Sequence, residues 1–367
     1  MEHRAEARID LTHLASNIAV LKSISRTPLL AVVKADAYGH GLVEVGLAAE
    51  SAGAEWLGVA LLEEAIQLRK HGARIPILAW LVSPGADFKS AFDHDIDIAV
   101  ASIAAFKEIS SLPNKPRIHI EVDTGMTRGG FLDEWPEFLK SDFSTVNVVG
   151  IFSHFARADE PNEQQNIDQL ARFKEMVAEL TSIGVNPLIK HLANSAATLM
   201  NTEATFDLVR TGIAMYGLSP DKDTLGNSKH LALKPLLQLR AKLHLVKQVP
   251  AGVGVGYGAT EHTSVATKLG VVAMGYADGI PRIAHAAGVF IDGVRAPIIG
   301  KVSMDQFVVN LGADSLAKSG DWVIVFGDGS LGEYTADDWG VASSSINYEI
   351  VTRIGSRVPR LYAPHVY

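Results

Sequence analysis

Eight short apolar runs constrain the first part of this chain more than any other feature. They are LLAVV (29–33), WLGVA (56–60), IPILAWL (75–81), IDIAVA (96–101), RIHIEV (117–122), VNVVGIF (146–152), LIKHL (188–192) and FDLVR (206–210). None alternates cleanly between apolar and polar residues. That pattern belongs to strands buried on both faces, as in a parallel sheet. Helical patterns lie between them. LTHLASNIAVLKSI (11–24) leads in, and LVEVGLAAESAG, LLEEAIQLRKHG and NEQQNIDQLARFKEMVAELTSIG carry apolar residues at spacings of three and four. Several end in glycine, a common helix stop. Eight strands alternating with helices predict a (β/α)8 TIM barrel. A doubly wound open sheet is the main rival, and the strand count favours the barrel.

The texture changes near residue 230. LQLRAKLHLVKQV (237–249), LGVVAMGYADG (269–279), VFIDGVRAPIIG (289–300), FVVNLG (307–312) and DWVIVFGDG (321–329) read as strands broken by glycine turns. Helical periodicity returns only in DDWGVASSSINYEIVTRIG (337–355). The expected organisation is therefore a barrel over 1–230 and a mainly β domain over 231–367. A chain of 367 residues has room for both.

Composition narrows the function. The net charge is −8, with no basic run, which argues against nucleic acid and anionic membrane as partners. There is no cysteine, so disulfides, cysteine nucleophiles and thiolate metal sites are excluded. The thirteen histidines are scattered, without metal-ligand spacing. The N-terminal stretch MEHRAEARIDLTHLASN lacks an apolar core, and no run of about 18 apolar residues occurs. A cytoplasmic protein is expected.

In a barrel of this kind, functional residues come from the C-terminal ends of the strands. Lys34 follows the first run, Arg128 the fifth and His154 the sixth. Asn194 and Ser195 follow the seventh, where a helix would start, and Arg210, Gly212 and Ile213 mark the eighth. Taken singly, each has an ordinary explanation: a surface lysine, a half-buried histidine, ion-paired arginines, a helix cap. Their joint placement at strand ends favours a site. A helix start with a hydroxyl and glycine amides can hold a phosphate. A desolvated lysine can form a Schiff base with a carbonyl. Its reference pKa of about 10.4 must fall for a free amine to exist near neutrality. A phosphate-bearing aldehyde held by lysine means pyridoxal 5′-phosphate.

AVVKADAYGHG (31–41) resembles the cofactor-lysine signature of the alanine racemases. VDTGMTRGG, SHFARADE, HLANSAA, VRTGIAMYG, VGYGAT, GYADGIPR, VSMDQFVV and INYEI follow in the family's order, so nine blocks match nearly end to end. The resemblance implies a (β/α)8 barrel followed by a β domain, a homodimer, and interconversion of L- and D-alanine that supplies D-alanine to peptidoglycan. It implies that Lys34 carries the cofactor and is the base on one substrate face. Tyr257, from the partner subunit, is the base on the other. His154 would touch that tyrosine and Arg210, the arginine at the pyridine nitrogen, whose positive field favours the phenolate. Arg128 would bind the cofactor's phenolic oxygen and the substrate carboxylate. Met304 would offer its backbone N–H to that carboxylate across the dimer. Tyr38, Ser195, Gly212, Ile213 and Tyr348 match the phosphate ligands, with Asn194 beside them at the helix start. Asp159, Tyr276 and Arg282 match the substrate entrance.

Two positions depart from many relatives. Glu121 stands where a carbamylated lysine is common, seven residues before Arg128. A glutamate is already an anion, so Glu121 is expected to orient Arg128 without modification; an unrelated ion pair is the alternative. Ser303 stands where cysteine is common, and little effect is expected. Racemisation of serine or a basic amino acid is the nearest rival activity, and the crowding of Tyr257, Tyr348 and Met304 favours a small side chain. A non-catalytic carrier of pyridoxal phosphate would resemble the barrel alone. A decarboxylase lacks the match at Tyr257 and Arg210.

Overall fold

A computed structural model describes residues 3–113, 115–284 and 286–363. The chain divides into two compact units. One comprises residues 14–37 and 42–233; the other comprises residues 1–13, 38–41 and 234–367.

The first unit is built on eight parallel strands: Leu29–Val32, Trp56–Val59, Ile77–Ala79, Asp97–Val100, Arg117–Glu121, Asn147–Phe152, Ile189–His191 and Val209–Thr211. Each of the eight apolar runs supplies one. From Ile189–His191 the order runs back through the chain to Leu29–Val32, which then pairs with Val209–Thr211. Backbone bonds stitch the two end strands together. The Arg210 N–H donates to Ala193 C=O at 2.9 Å and the Asp207 N–H to Lys190 C=O at 3.0 Å. The result is a nearly closed barrel. Leu29–Val32, Ile77–Ala79 and Asp97–Val100 are buried at every position. Helices cover one face and interior side chains fill the other, so unbroken apolar runs are what such strands require. Helix Leu62–Lys70 ends in Gly72 at φ +99° and helix Gln164–Ser182 in Gly184 at φ +86°. Both take the left-handed stop expected of glycine.

The second unit is mainly antiparallel. Strand Leu237–Val249 pairs with Thr267–Val272, Trp322–Phe326 and Ala5–Asp10. The hairpin Gly288–Ile291 with Val294–Pro297 and the strand Phe307–Asn310 complete the expected set. Among the described residues four strands escaped the sequence reading: Ala5–Asp10, Arg360–Ala363 and the short pair Gly254–Val255 with Glu261–His262. Ala5–Asp10 lies within the charged N-terminal stretch, and Arg360–Ala363 pairs with it in parallel. Glu6 is buried in the former. Its carboxylate takes Arg8 at 2.8 Å and Arg240 at 2.5 Å, which makes burial of a charge tolerable in a strand. The helical pattern over 337–355 is two helices, Ala336–Ala342 and Asn347–Thr352. The intervening serines break it, with Ser344 at φ +55°.

Candidate active site

Lys34 opens the segment that leaves the first barrel strand. That segment, Lys34–Gly39, is a left-handed helical turn. Ala35, Asp36, Ala37 and Tyr38 have φ between +52° and +54°, and Gly39 has +79°. Each non-glycine residue costs roughly 1–2 kcal/mol in this conformation, or about 4–8 kcal/mol for the four. Local bonds hold the turn. The Ala37 N–H donates to Val33 C=O at 2.9 Å, the Ala35 N–H to Glu64 Oε1 at 2.6 Å, and the Leu42 N–H to Asp36 Oδ1 at 2.9 Å. Glycine is required at its end: a Cβ on Gly39 would lie 2.2 Å from the Val351 carbonyl oxygen. Such strain is found where the chain aims a functional group.

The Lys34 ammonium lies 5.7 Å from the centre of the Trp80 ring. Burial lowers its pKa first, the Arg128 charge lowers it further, and Glu64 opposes both. These are the conditions for a lysine nucleophile.

Glu121 ends the strand Arg117–Glu121. Burial pushes its carboxyl up, against the pull of Arg210 and Arg128. That coupling acts through space, since no hydrogen bond or ion pair joins Glu121 to either arginine among the described residues. Arg128 sits on the following loop and is exposed. Asp123 shapes that loop: its Oδ1 accepts from the N–H groups of Gly125, Met126 and Thr127 at 2.8, 3.0 and 3.1 Å. The sequence reading passed over Asp123, although an aspartate before TGM is an ordinary turn signal.

Arg210 lies within the last strand, one residue further inside the barrel wall than expected, and is buried. Its guanidinium donates to His191 C=O at 2.8 Å and Ser153 C=O at 2.7 Å. It also meets His154 Nδ1 at 3.2 Å and His191 Nδ1 at 3.3 Å. Burial lowers its pKa to about 10, which leaves it a cation at neutral pH. Burial first, then the charges of Arg210, Arg128 and Lys34, lower the His154 pKa to about 3. His154 is therefore a neutral imidazole against a guanidinium.

At the seventh strand end, Asn194 caps the helix Ser195–Met200 by accepting from the Ala197 N–H at 3.0 Å. The buried Ser195 hydroxyl accepts from the N–H groups of Gly212 at 2.9 Å and Ala214 at 3.4 Å, in the turn that also holds Ile213. Lys34, Glu121, Arg128, His154, Asn194, Ser195, Arg210, Gly212, Ile213 and Asp159 all belong to the barrel unit.

In the other unit, Tyr38 and Tyr348 have ring centroids 6.2 Å apart. Burial raises the Tyr38 hydroxyl pKa to about 12, so it remains a donor. Tyr276 and Met304 are locked together. The Tyr276 N–H donates to Ser303 C=O at 3.1 Å and the Ala277 N–H to Met304 C=O at 2.9 Å. A Cβ on Gly275 would lie 2.3 Å from the Met304 carbonyl oxygen. Buried Asp278 accepts from the Gly275 N–H at 2.9 Å and pairs with Arg4 at 2.6 Å. Arg357 reaches Asp278 at 3.3 Å and Asp305 at 2.7 Å, tying the two loops further. Tyr257 starts a short turn between strands Gly254–Val255 and Glu261–His262, and it is 69% exposed. Met304 is 53% exposed, and Arg282 is also on the surface.

A barrel with a desolvated lysine at its first strand end, a buried guanidinium at its last and a hydroxyl–amide cluster beside it defines a lysine-based enzyme site. Two family models match the chain: "Alanine racemase, N-terminal domain" over residues 9–220 and "Alanine racemase, C-terminal domain" over 236–362. An alanine racemase of Salinispora tropica is 47% identical over 371 residues, covering 98% of each chain. The crystal structure of alanine racemase from D-cycloserine-producing Streptomyces lavendulae superposes with a TM-score of 0.96 at 44% identity, covering 100% of this chain and 98% of that one. That of Streptomyces coelicolor also gives 0.96, at 43% identity, covering 99% and 98%. The chain belongs to the alanine racemase family. It is an enzyme of the racemase class.

Proposed function

We propose that this racemase interconverts L- and D-alanine with pyridoxal 5′-phosphate as cofactor, using Lys34 and Tyr257 as bases on opposite faces of the substrate. The observation that carries the reading is Lys34, whose amine is desolvated and repelled by Arg128 at a strand end. Those influences favour the free amine that anchors an aldehyde and then moves a proton.

The donor set fits the cofactor. Ser195 with the amides of Gly212 and Ile213 would hold a phosphate, and Tyr38 and Tyr348 carry the other hydroxyls assigned by the family resemblance. Arg210 would donate to the ring nitrogen. Among the described residues its hydrogen-bond partners are carbonyls and imidazoles, so no carboxylate neutralises it by direct contact. When bound, the cofactor supplies an electron sink for the carbanion at the substrate Cα.

This chain's residues do the rest. Arg128 orients the carboxylate, and the anion of Glu121 holds the surrounding field near balance. Neutral His154 can take part in hydrogen bonds and adds no third positive charge. Tyr257 and Met304 are large, exposed side chains, which supports their completing the site of a second copy in a homodimer. Asp159, Tyr276 and Arg282 would line the substrate's way in. Among the described residues no helix is long and apolar enough to cross a membrane. A cytoplasmic enzyme supplying D-alanine to peptidoglycan is the role we infer.

The test is incubation of purified protein with pyridoxal phosphate and pure L-alanine. The expected result is an approach to equal amounts of the enantiomers, with serine and lysine converted far more slowly. Faster conversion of serine or lysine would reassign the substrate.

A further inference from the structure

The barrel interior holds ionisable groups that the reaction above does not use. His119, His191 and Asp97 are each 0% exposed. His191 ends its strand at the mouth, His119 lies mid-strand, and Asp97 begins its strand at the far end of the barrel. His119 Nδ1 meets His191 Nε2 at 2.9 Å, from strands that are not neighbours in the sheet. Side chains of alternate strands meet in this way inside such a barrel. Gly150, on the strand between them, makes the room: a Cβ there would lie 2.3 Å from His119 Nδ1.

Donor rules fix the direction of the chain. A guanidinium only donates, so the His191 Nδ1 that faces Arg210 at 3.3 Å must present a lone pair. The His191 proton then sits on Nε2 and is donated to His119 Nδ1. His119 must in turn carry its proton on Nε2. That atom faces Asp97 Oδ2 at 3.4 Å, a close approach without hydrogen-bond geometry, and neither atom has a hydrogen-bond partner among the described residues. The other Asp97 oxygen accepts from Arg117, at 2.7 Å from Nε, and Arg117 continues to Asp95 at the surface, 2.7 Å away.

We propose that Asp97, His119 and His191 form a one-directional relay that locks both histidine tautomers and thereby positions Arg210. They are positioning residues, acting through the guanidinium. The relay lets the buried cation meet a lone pair, while the only carboxylate acting on it among the described residues, that of Glu121, does so through space. A carboxylate in direct contact would neutralise it. Burial and the Arg210 charge also keep His191 from protonating. The proposal rests on Arg210 facing the cofactor ring.

The test is nitrogen NMR of the histidine-labelled protein without cofactor, where racemase activity plays no part. The wild type should show His191 protonated on Nε2 alone and His119 likewise. A proton on His191 Nδ1, or charged rings at neutral pH, would overturn the relay whatever the enzyme's substrate. His119→Phe removes the acceptor and should move the His191 proton onto Nδ1 or scramble it, weakening pyridoxal phosphate binding about tenfold. His119→Gln can accept from His191 and donate to Asp97, so it should restore both readouts. If His119→Phe folds but leaves the His191 tautomer and cofactor binding unchanged, the positioning role is refuted. If it fails to fold, the wild-type spectrum still decides.

Discussion

Ala35→Gly should make this protein more stable, the reverse of the usual effect of glycine in a helix. Ala35 sits at φ +54° in the left-handed turn that follows Lys34, and its side chain is exposed. Replacing it loses little packing and leaves its N–H free to reach Glu64. Relief of the left-handed penalty contributes roughly 1–2 kcal/mol. The greater freedom of glycine in the unfolded chain takes back about 0.4–1 kcal/mol. The balance lies between about 0 and +1.6 kcal/mol, centred near +0.8 kcal/mol by the same two principles. Ala37→Gly at φ +52° supplies the control. Its methyl is fully buried, and losing it costs about 0.8 kcal/mol, which cancels the gain. With two compact units a single unfolding free energy is not assured, so amide hydrogen exchange over residues 35–39 should accompany urea denaturation. The expected result is slower exchange and a higher midpoint for Ala35→Gly, with Ala37→Gly near the wild type. A loss of roughly 0.5–1 kcal/mol at Ala35, as in an ordinary helix, would refute the argument from backbone strain.

Three further outcomes are expected. Glu121→Gln should weaken cofactor binding and turnover together, because it removes the anion that faces Arg128 and Arg210; unchanged titration and kinetics would end the orienting role. His154 is held neutral with a pKa lowered to about 3, so it contributes stability present above its unfolded value near 6.5 and lost as pH falls towards 3. His154→Gln should flatten the acid limb of a stability–pH curve across that window, and an unaltered limb would show that His154 does not titrate there. Gly275→Ala forces a Cβ against the Met304 carbonyl oxygen and should raise KM for alanine as the Tyr276 and Met304 loops part, with a normal KM counting against that coupling.

Much of the barrel was legible because its strands are buried on both faces, which writes each one as an unbroken apolar run. Lys34, His154 and Ser195 were legible as polar residues just past such runs. The left-handed turn was not, since Ala35 and Ala37 carry no preference for positive φ and only Gly39 hints at it. Strand Ala5–Asp10 was hidden by Glu6, whose burial depends on Arg240, 234 positions away. The His119–His191 pair needed the folded register, which brings together residues 72 positions apart. Asp123 could have been found from its turn.

The central claim is proton transfer on two faces by two different residues. The most direct measurement is exchange of the alanine Cα proton in deuterated water, followed by NMR from each enantiomer separately, in the wild type and in Tyr257→Phe. The wild type should exchange and invert both. Tyr257→Phe should retain exchange without inversion from one enantiomer, through Lys34, and lose it from the other. Undiminished inversion in Tyr257→Phe, or equal loss from both enantiomers, would contradict the assignment.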